Sequence, residues 1–515
     1  MKKASRTHNT KLNLTTSIIN KFALMLAAFV ARTAFIRILG AEYTGINSLY
    51  SNILGILNVA DLGLSSAMTF ELYQALASND HSKICSLVNS FKKIYFVIIA
   101  VILTIGAILI PFLPYIVNKS SIPNDRLVLY FILYLFDSVS SYFVVYRTIV
   151  ITADQKSYIN NIVTTVVRSV MYVMQIVYLY FTKNFFGYLI IQVAFSFLTN
   201  IILDVIAKKM YPYLTDKSLI NPSLVDNRRV FKNSKATFII RISGTILDQT
   251  DSIIISMMFG TIFVGYYSNY AMLIAYLNGL VWMVVSSVQA SLGNYVTEKS
   301  TYQFYKMYEN IDYVLSLVVT LFFVCFLCVI QDFITVWIGK DYVMPNLLVI
   351  SILFSFYIQN IIQTNWLFLS TLGLFRQVQY SYLSSAIVNV FLSIVLGKLI
   401  GIPGIIFATG ISRLVTIFWY ESKEIFKSFH KEYKQYIFIQ IRHAVTTIVI
   451  SFFAFFLCLF VKSHNIFTII IKLFISGTVA LVIEFFIYHK TDAWSWMISR
   501  LLPSKKEIFE RHGRG

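Results

Sequence analysis

Charge is scarce in this sequence. Among 515 residues there are 43 Lys and Arg and 24 Asp and Glu, 13% in all, where an ordinary soluble domain carries about 25%. Hydrophobic residues make up 57%, and the mean hydropathy is +0.70. Too little polar surface remains to cover several soluble globules of this length. Period-2 alternation over ten-residue stretches is also missing, which excludes a membrane β-barrel. There is no Walker loop and no H-E-x-x-H, and the seven histidines show no metal-ligand spacing. Of four cysteines, Cys325 and Cys328 form a C-x-x-C inside the apolar run Leu321–Ile330. There they read as small core residues rather than as a redox or metal pair.

What is present is a series of long apolar stretches. A bilayer core of about 30 Å needs about 20 helical residues. Fourteen stretches qualify: 14–36, 45–70, 92–116, 127–149, 159–181, 185–207, 237–259, 264–292, 313–337, 346–369, 378–400, 402–422, 437–461 and 465–488. The junctions between the eleventh and twelfth and between the thirteenth and fourteenth are the least marked. An all-α polytopic membrane protein is expected. Loops on the side of both termini hold 30 Lys and Arg, the opposite loops 7, and the spans 6. The positive-inside bias therefore places both termini in the cytoplasm. Met1–Leu14 is polar and basic, and the first span runs on without an A-x-A-like site, so no cleaved signal peptide is expected. Outer loops are short, which leaves no room for an external catalytic domain. The polar–apolar segments 79–93 and 298–312 read either as interfacial amphipathic helices or as plain connectors.

An internal repeat appears at an offset of 220 residues. Gly40, Gly45, Ser48 and Tyr50 match Gly260, Gly265, Ser268 and Tyr270 in the pattern G-x4-G-x2-S-x-Y, and Leu57-Asn58 matches Leu277-Asn278. Each block joins two long spans. Six spans separate the copies, an even number, so the halves are parallel, a standard transporter arrangement. The expected organisation is an N-terminal lobe at 1–210 (spans 1–6), a cytoplasmic linker at 211–236 and a C-terminal lobe at 237–424 (spans 7–12). Spans 13 and 14 with a basic tail follow at 425–515.

An ionisable group at bilayer depth costs at least about 2.5–3.5 kcal/mol and is a functional candidate by default. The basic candidates are Lys21, Arg32, Arg168, Arg241 and Arg413. Lys21 and Arg241 are equivalents at the repeat offset, and Arg32 lies three helical turns beyond Lys21. Cations facing one cavity suit a polyanion, since Arg presents a planar fork to phosphate oxygens. The competing reading is snorkelling at helix ends or structural ion pairing. Lys472, near a span end, is expected to snorkel. Among the acids, Asp248 and Asp251 form an i,i+3 pair and Asp61 follows Asn58 by three. Such acids suit a proton or sodium site, or the neutralisation of neighbouring cations. No resident cofactor or metal is expected.

The stretch Ile36-Arg37-Ile38-Leu39-Gly40-Ala41-Glu42-Tyr43-Thr44-Gly45, followed by Ala60-Asp61-Leu62-Gly63-Leu64-Ser65, resembles the opening of bacterial polysaccharide repeat-unit flippases. Asp251–Ser256, Phe259-Gly260, Val264–Ser268 and Trp337-Ile338-Gly339-Lys340 are also similar to that family, part of the multidrug/oligosaccharidyl-lipid/polysaccharide exporter superfamily. The resemblance implies a transporter rather than an enzyme. It would flip an undecaprenyl-diphosphate-linked oligosaccharide across the bacterial plasma membrane by alternating access through a cationic cavity. Coupling would come from H+, Na+ or the membrane potential, and polysaccharide polymerase and glycosyltransferases would be its working partners. No nucleic acid is implied by the net charge of +19, because most basic residues lie in the cytoplasmic loops. The rival readings are a cation-coupled drug exporter, a peptidoglycan-precursor flippase and a membrane polysaccharide polymerase.

Overall fold

The computed structural model describes residues 6–58, 64–225, 227–298, 301–462 and 465–501. Among them no strand occurs. The chain begins with α1 (Arg6–Leu57), α2 (Leu64–Ala77), α3 (His81–Leu109), α4 (Leu113–Ile116), α5 (Asn124–Ser140), α6 (Val145–Ala153), α7 (Ser157–Thr182), α8 (Phe185–Met210) and α9 (Asn227–Phe259). It continues with α10 (Thr261–Glu298), α11 (Thr301–Trp337), α12 (Asn346–Ile361), α13 (Gln363–Leu372), α14 (Phe375–Ile400) and α15 (Ile402–Val415). The last four are α16 (Ile417–Ser428), α17 (Lys434–Cys458), α18 (Ile466–Tyr488) and α19 (Asp492–Leu501).

Twelve helical stretches among the described residues are long and apolar enough to cross a membrane. One of them, Thr15–Leu57, holds two passes, because Gly40 breaks α1 with φ 80° and ψ −174°. Helix α9 is long enough too, but its basic start and the charges Arg241, Asp248 and Asp251 lower its hydropathy. Separating the two arms of α1 and adding α9 gives the expected fourteen, and the protein is an all-α, multi-pass membrane protein. Part of the stretch 45–70, at 59–63, lies outside the described residues. Both weakly marked junctions are real breaks. Gly401 (φ 81°) separates α14 from α15, and a capping box on Asn465 and Thr468 starts α18.

Neither segment read as interfacial is a separate helix. Residues 81–93 are the first turns of α3, with the Asp80 carboxylate accepting from the Lys83 amide at 2.9 Å. Residues 301–312 are the first turns of α11. A good N-cap lets the membrane helix extend past the apolar run.

The repeat runs through the backbone. Positive φ recurs in pairs: Gly40 and Gly260, Lys119 and Gly339, Gln155 and Gly373, Lys183 and Gly401, at offsets of 218 to 220. Helices α3 and α11 begin 220 residues apart, and α7 and α14 are both 26 residues long. Pro123-Asn124 and Pro345-Asn346 open α5 and α12 in the same way. The motif tyrosines explain themselves. Tyr50 and Tyr270 are fully buried. Tyr50 donates to the Leu127 carbonyl near the start of α5, and the Tyr270 hydroxyl accepts from the Met344 amide just before α12, each at 3.0 Å.

The chain divides into two compact units, Met1–Ser268 and Asn269–Gly515. In the first unit α9 packs along α1 and α2. There α1 also packs on α7, and α5 and α7 pack on α8. Its core is aromatic, with Phe35 edge-on to Phe185 and Tyr188 at 5.7 and 5.0 Å. In the second unit α15 packs on α12 and α14, while α11 packs on α12, α17 and α18. Outward faces of α17 and α18 carry exposed Phe438, Ile448, Phe452, Phe467, Phe474 and Phe486, as lipid contact requires.

Candidate functional site

In the first unit the second motif glycines let two helices touch backbone to backbone. A Cβ on Gly45 would lie 2.0 Å from the Thr261 carbonyl oxygen, and one on Gly265 would lie 2.0 Å from the Ala41 carbonyl oxygen. The two contacts are related by the repeat offset, so this crossing is reciprocal. Residues 116–121 bind both turns. The Asn118 carbonyl accepts from the Thr261 amide at 3.1 Å and Asn118 Nδ2 donates to the Met257 carbonyl at 2.9 Å. The Glu42 carboxylate accepts from Ser120 Oγ at 2.7 Å and from the Ser121 amide and Oγ at 2.5 and 2.6 Å.

Below this crossing the polar side chains of the first unit converge on Arg32. Its Nη2 donates to Ser268 Oγ at 2.6 Å, and Ser268 donates onward to the Gly265 carbonyl at 2.9 Å. Tyr134 and Tyr188 lie within electrostatic reach of both Arg32 and Asp137. Asp137 Oδ2 accepts from Gln192 Nε2 at 2.7 Å, while its buried Oδ1 has no hydrogen-bond partner among the described residues. The Tyr134 hydroxyl donates to Asn47 Oδ1. Tyr172 stands beside both Arg168 and Tyr188, so phenols link Arg168 to the Arg32 neighbourhood. A half-buried guanidinium among phenols, amides and one carboxylate can exchange hydrogen bonds for those of an incoming anion.

The other candidates are placed differently. Lys21, Arg168 and Arg241 are exposed, and none forms an ion pair among the described residues. Asp248 is exposed but Asp251 is 7% exposed, and both lie near Tyr267. Asp61 lies outside the described residues. Arg413 belongs to the second unit and is buried at 5% exposure, near Tyr382, whose hydroxyl donates to Glu421 Oε1 at 2.6 Å. Lys472 does not snorkel. Its Nζ lies 2.5 Å from Asp332 Oδ2, and both side chains are largely buried. The carboxylate on α11 holds the ammonium in the protein interior.

Two groups were not singled out from the sequence. Tyr134 and Tyr188 become notable only through their neighbours. His443, read as one of several scattered histidines, is buried inside α17 on a stripe with Tyr436, Gln440, Thr447 and Ser451. That stripe has helical spacing within an apolar span, a signal the sequence does carry. Cys328 and Cys458 share an apolar cluster with Val324, Ile450 and Ala454. No group of three or more His, Cys, Asp or Glu able to hold a metal occurs among the described residues.

Residues 12–290 match the family described as polysaccharide biosynthesis protein. No curated protein sequence matches significantly. Among solved structures, lipid II flippase MurJ in an inward closed conformation superposes with a TM-score of 0.67 at 14% identity, covering 92% of this chain and 99% of that one. An inward-facing multidrug resistance MATE family transporter of the MOP superfamily gives 0.59 at 10% identity, covering 78% and 95%. The MATE transporter VcmN of Vibrio cholerae gives 0.51 at 12% identity, covering 82% and 98%. At such low identity these likenesses show a shared fold.

Proposed function

Because the chain belongs to the polysaccharide biosynthesis protein family, we propose that it flips lipid-linked oligosaccharide units from the cytoplasmic to the outer leaflet for surface polysaccharide assembly. The substrate would be an undecaprenyl-diphosphate-linked repeat unit in a bacterial plasma membrane, with both termini of the protein cytoplasmic. The observation that carries this reading is Arg32, a guanidinium within a membrane span held by Ser268 among Tyr134, Tyr188 and Asp137. Dragging a diphosphate and many hydroxyls unaided through hydrocarbon is prohibitively costly. A guanidinium supported by phenols and amides replaces that hydration, while the lipid tail stays in the bilayer. Lys21, Arg168 and Arg241 on exposed helix faces would add charge to the path. Arg413, buried beside Tyr382, would act by supporting its own helices.

A passive path only equilibrates its cargo, so net flux needs a driving force. An H+ or Na+ bound at Asp248 and Asp251 would supply it, as would the membrane potential at about 2.3 kcal/mol per charge per 100 mV. Polymerase consuming the flipped unit would pull in the same direction. No chemical reaction on the substrate is part of this proposal.

The test is surface polysaccharide in cells whose own copy is replaced by Arg32→Ala or Arg32→Lys, with membrane levels of the protein measured alongside. Loss of a charge-assisted hydrogen bond, about 1.5–3 kcal/mol, corresponds to roughly a 10- to 100-fold loss. Arg32→Ala should reach that range, and Arg32→Lys should retain part of the flux. Wild-type polysaccharide from Arg32→Ala, and also from Arg32→Ala combined with Arg241→Ala, would sink the cation-path reading. The exposed Asp248 beside buried Asp251 also suits a cationic drug exporter. Dye efflux with unchanged polysaccharide would select that function instead.

A further inference from the structure

The second unit contains a buried cluster of ionisable groups that the substrate path does not use. Asp312 on α11, His443 on α17 and Glu484 on α18 are 4%, 3% and 3% exposed. Gln440 Nε2 donates to Asp312 Oδ2 at 2.8 Å, and His443 Nε2 lies 3.7 Å from the same oxygen. On the other edge of the imidazole, Nδ1 lies 3.0 Å from the Tyr488 hydroxyl. Glu484, one turn before Tyr488, is on the same buried face, and its Oε2 has no hydrogen-bond partner among the described residues.

The charges do not balance. The nearby cation is Arg442, an exposed residue whose guanidinium lies 5.2 Å from the centre of the Tyr488 ring. It acts on both Asp312 and Glu484, while Glu309, one turn before Asp312, is paired with Lys306 at 3.0 Å. The remaining titratable neighbours are phenols. Tyr305, Tyr308, Tyr357 and Tyr436 face Asp312, while Tyr313, Tyr357 and Tyr488 face Glu484. Two buried carboxylates against one exposed guanidinium leave an uncompensated charge of −1, which is strongly unfavourable in a membrane interior. One bound proton removes it.

A cavity of about 600 Å³ lies at the start of α11 and α17, lined by Tyr305, Lys306, Glu309, Lys431, Lys434 and Gln435 among others. It is open, and Glu309 on its wall is one helical turn from Asp312. From the rim inward follow Glu309, Asp312, His443, Tyr488 and Glu484, with His443 hydrogen-bonded to Tyr488 at 3.0 Å and its Nε2 3.7 Å from Asp312.

We propose that Asp312, His443 and Glu484 form an exchangeable proton-binding site, filled from the aqueous side on which this cavity opens. One proton leaves hydronium and becomes the O–H of a carboxyl group or the second N–H of the imidazole. No other bond forms or breaks, and the site's charge rises by one. The charge changes where α11 meets α17 and α18, so the proton acts on the seating of that helix pair. The site stands on its own geometry; its role in driving cargo rests on the proposed flipping.

The test is infrared difference spectroscopy of the full-length protein in lipid nanodiscs, between alkaline and acidic pH. Wild type should gain a carboxylic C=O band that shifts in D2O. Asp312→Asn and Glu484→Gln should each remove part of it. His443→Gln should move the midpoint of what remains, which a merely structural histidine would not do. If Asp312→Asn does not fold, the Glu484 and His443 variants carry the test. Variant spectra superimposing on wild type, or no titrating band in wild type, would overturn the site. Reconstituted flipping of a lipid-linked oligosaccharide under a proton gradient separates the two ideas. Flipping without a titrating band refutes the site alone, and a band without flipping refutes the proposed function alone.

Discussion

Gly45→Ala is the most direct probe of the crossing between α1 and α10. The new methyl carbon would lie 2.0 Å from the Thr261 carbonyl oxygen and 3.0 Å from the Gly265 nitrogen. A carbon–oxygen contact ordinarily settles at about 3.3–3.6 Å. The obstacle is backbone on both sides, so no rotamer change relieves it, and the helices must separate by roughly an ångström. Overpacking of this kind costs about 1–3 kcal/mol. Any Gly-to-Ala change inside a helix also gains about 0.5–1 kcal/mol of helix propensity. Gly244→Ala on α9 isolates that gain, because a Cβ there meets nothing within 4 Å. Propensity cancels between the two variants, and the difference between them is the steric cost.

The assay is thermal or denaturant unfolding of purified protein in matched micelles, followed by loss of helix signal. Gly45→Ala should fall below wild type and Gly244→Ala should equal or exceed it. Gly265→Ala should cost as much as Gly45→Ala, since its Cβ would meet the Ala41 oxygen at the same 2.0 Å. The double variant should cost less than the sum, because helices already forced apart accept the second methyl. Equal stability of Gly45→Ala and Gly244→Ala would refute the close crossing, and strict additivity would refute its reciprocity.

The ion pair between Lys472 and Asp332 should behave as a buried pair. Lys472→Ala should destabilise by about 3–5 kcal/mol, and Lys472→Met with Asp332→Leu should recover most of that in the same unfolding assay. An exposed, snorkelling lysine would show neither effect. In the loop 211–225, outside the membrane spans, Asp216 Oδ1 accepts from the Ser218 amide and Oγ at 2.9 and 2.6 Å, which holds its carboxyl below the usual value. A lowered carboxyl value means the turn is fully supported above that ordinary range and loses support as pH falls through the folded value. Protection of the Ser218 amide against hydrogen exchange, corrected for intrinsic rate, should fall with acidification and be low at every pH in Asp216→Asn. A pH-independent protection would contradict the assignment.

Spans were legible in the sequence because apolar runs of sufficient length have few other uses. The repeat was legible at its turns, where Gly40 and Gly260 need positive φ and Gly45 and Gly265 need to have no side chain. Elsewhere it was hidden. Lys119, Gln155 and Lys183 share the positive φ of Gly339, Gly373 and Gly401, although ψ is 28° at Lys183 and −153° at Gly401, so the sign of φ persists where residue identity does not. A polar residue can take that conformation at a moderate cost when surrounding helices impose it. The structural period of the chain is therefore stronger than its sequence period.

Charges within the spans were visible as a set, but their partners were not. Arg32 is caught by Ser268, 236 residues away, and Lys472 by Asp332, 140 residues away. Linear spacing says nothing about such pairs. It says more about α17, where Tyr436, Gln440, His443, Thr447 and Ser451 are all buried on one face, while Phe438, Ile441, Val445, Ile448 and Phe452 are exposed on the other. An added helix meant only to meet lipid has no use for a polar inner stripe, since each such group must find a partner in hydrocarbon. The partners are Asp312 and Thr320 on α11 and Tyr488 on α18. Span 13 is thus fastened to span 9 through Gln440–Asp312 and Thr447–Thr320 and to span 14 through His443–Tyr488, so under the proposed site the seating of both spans would follow the proton it carries.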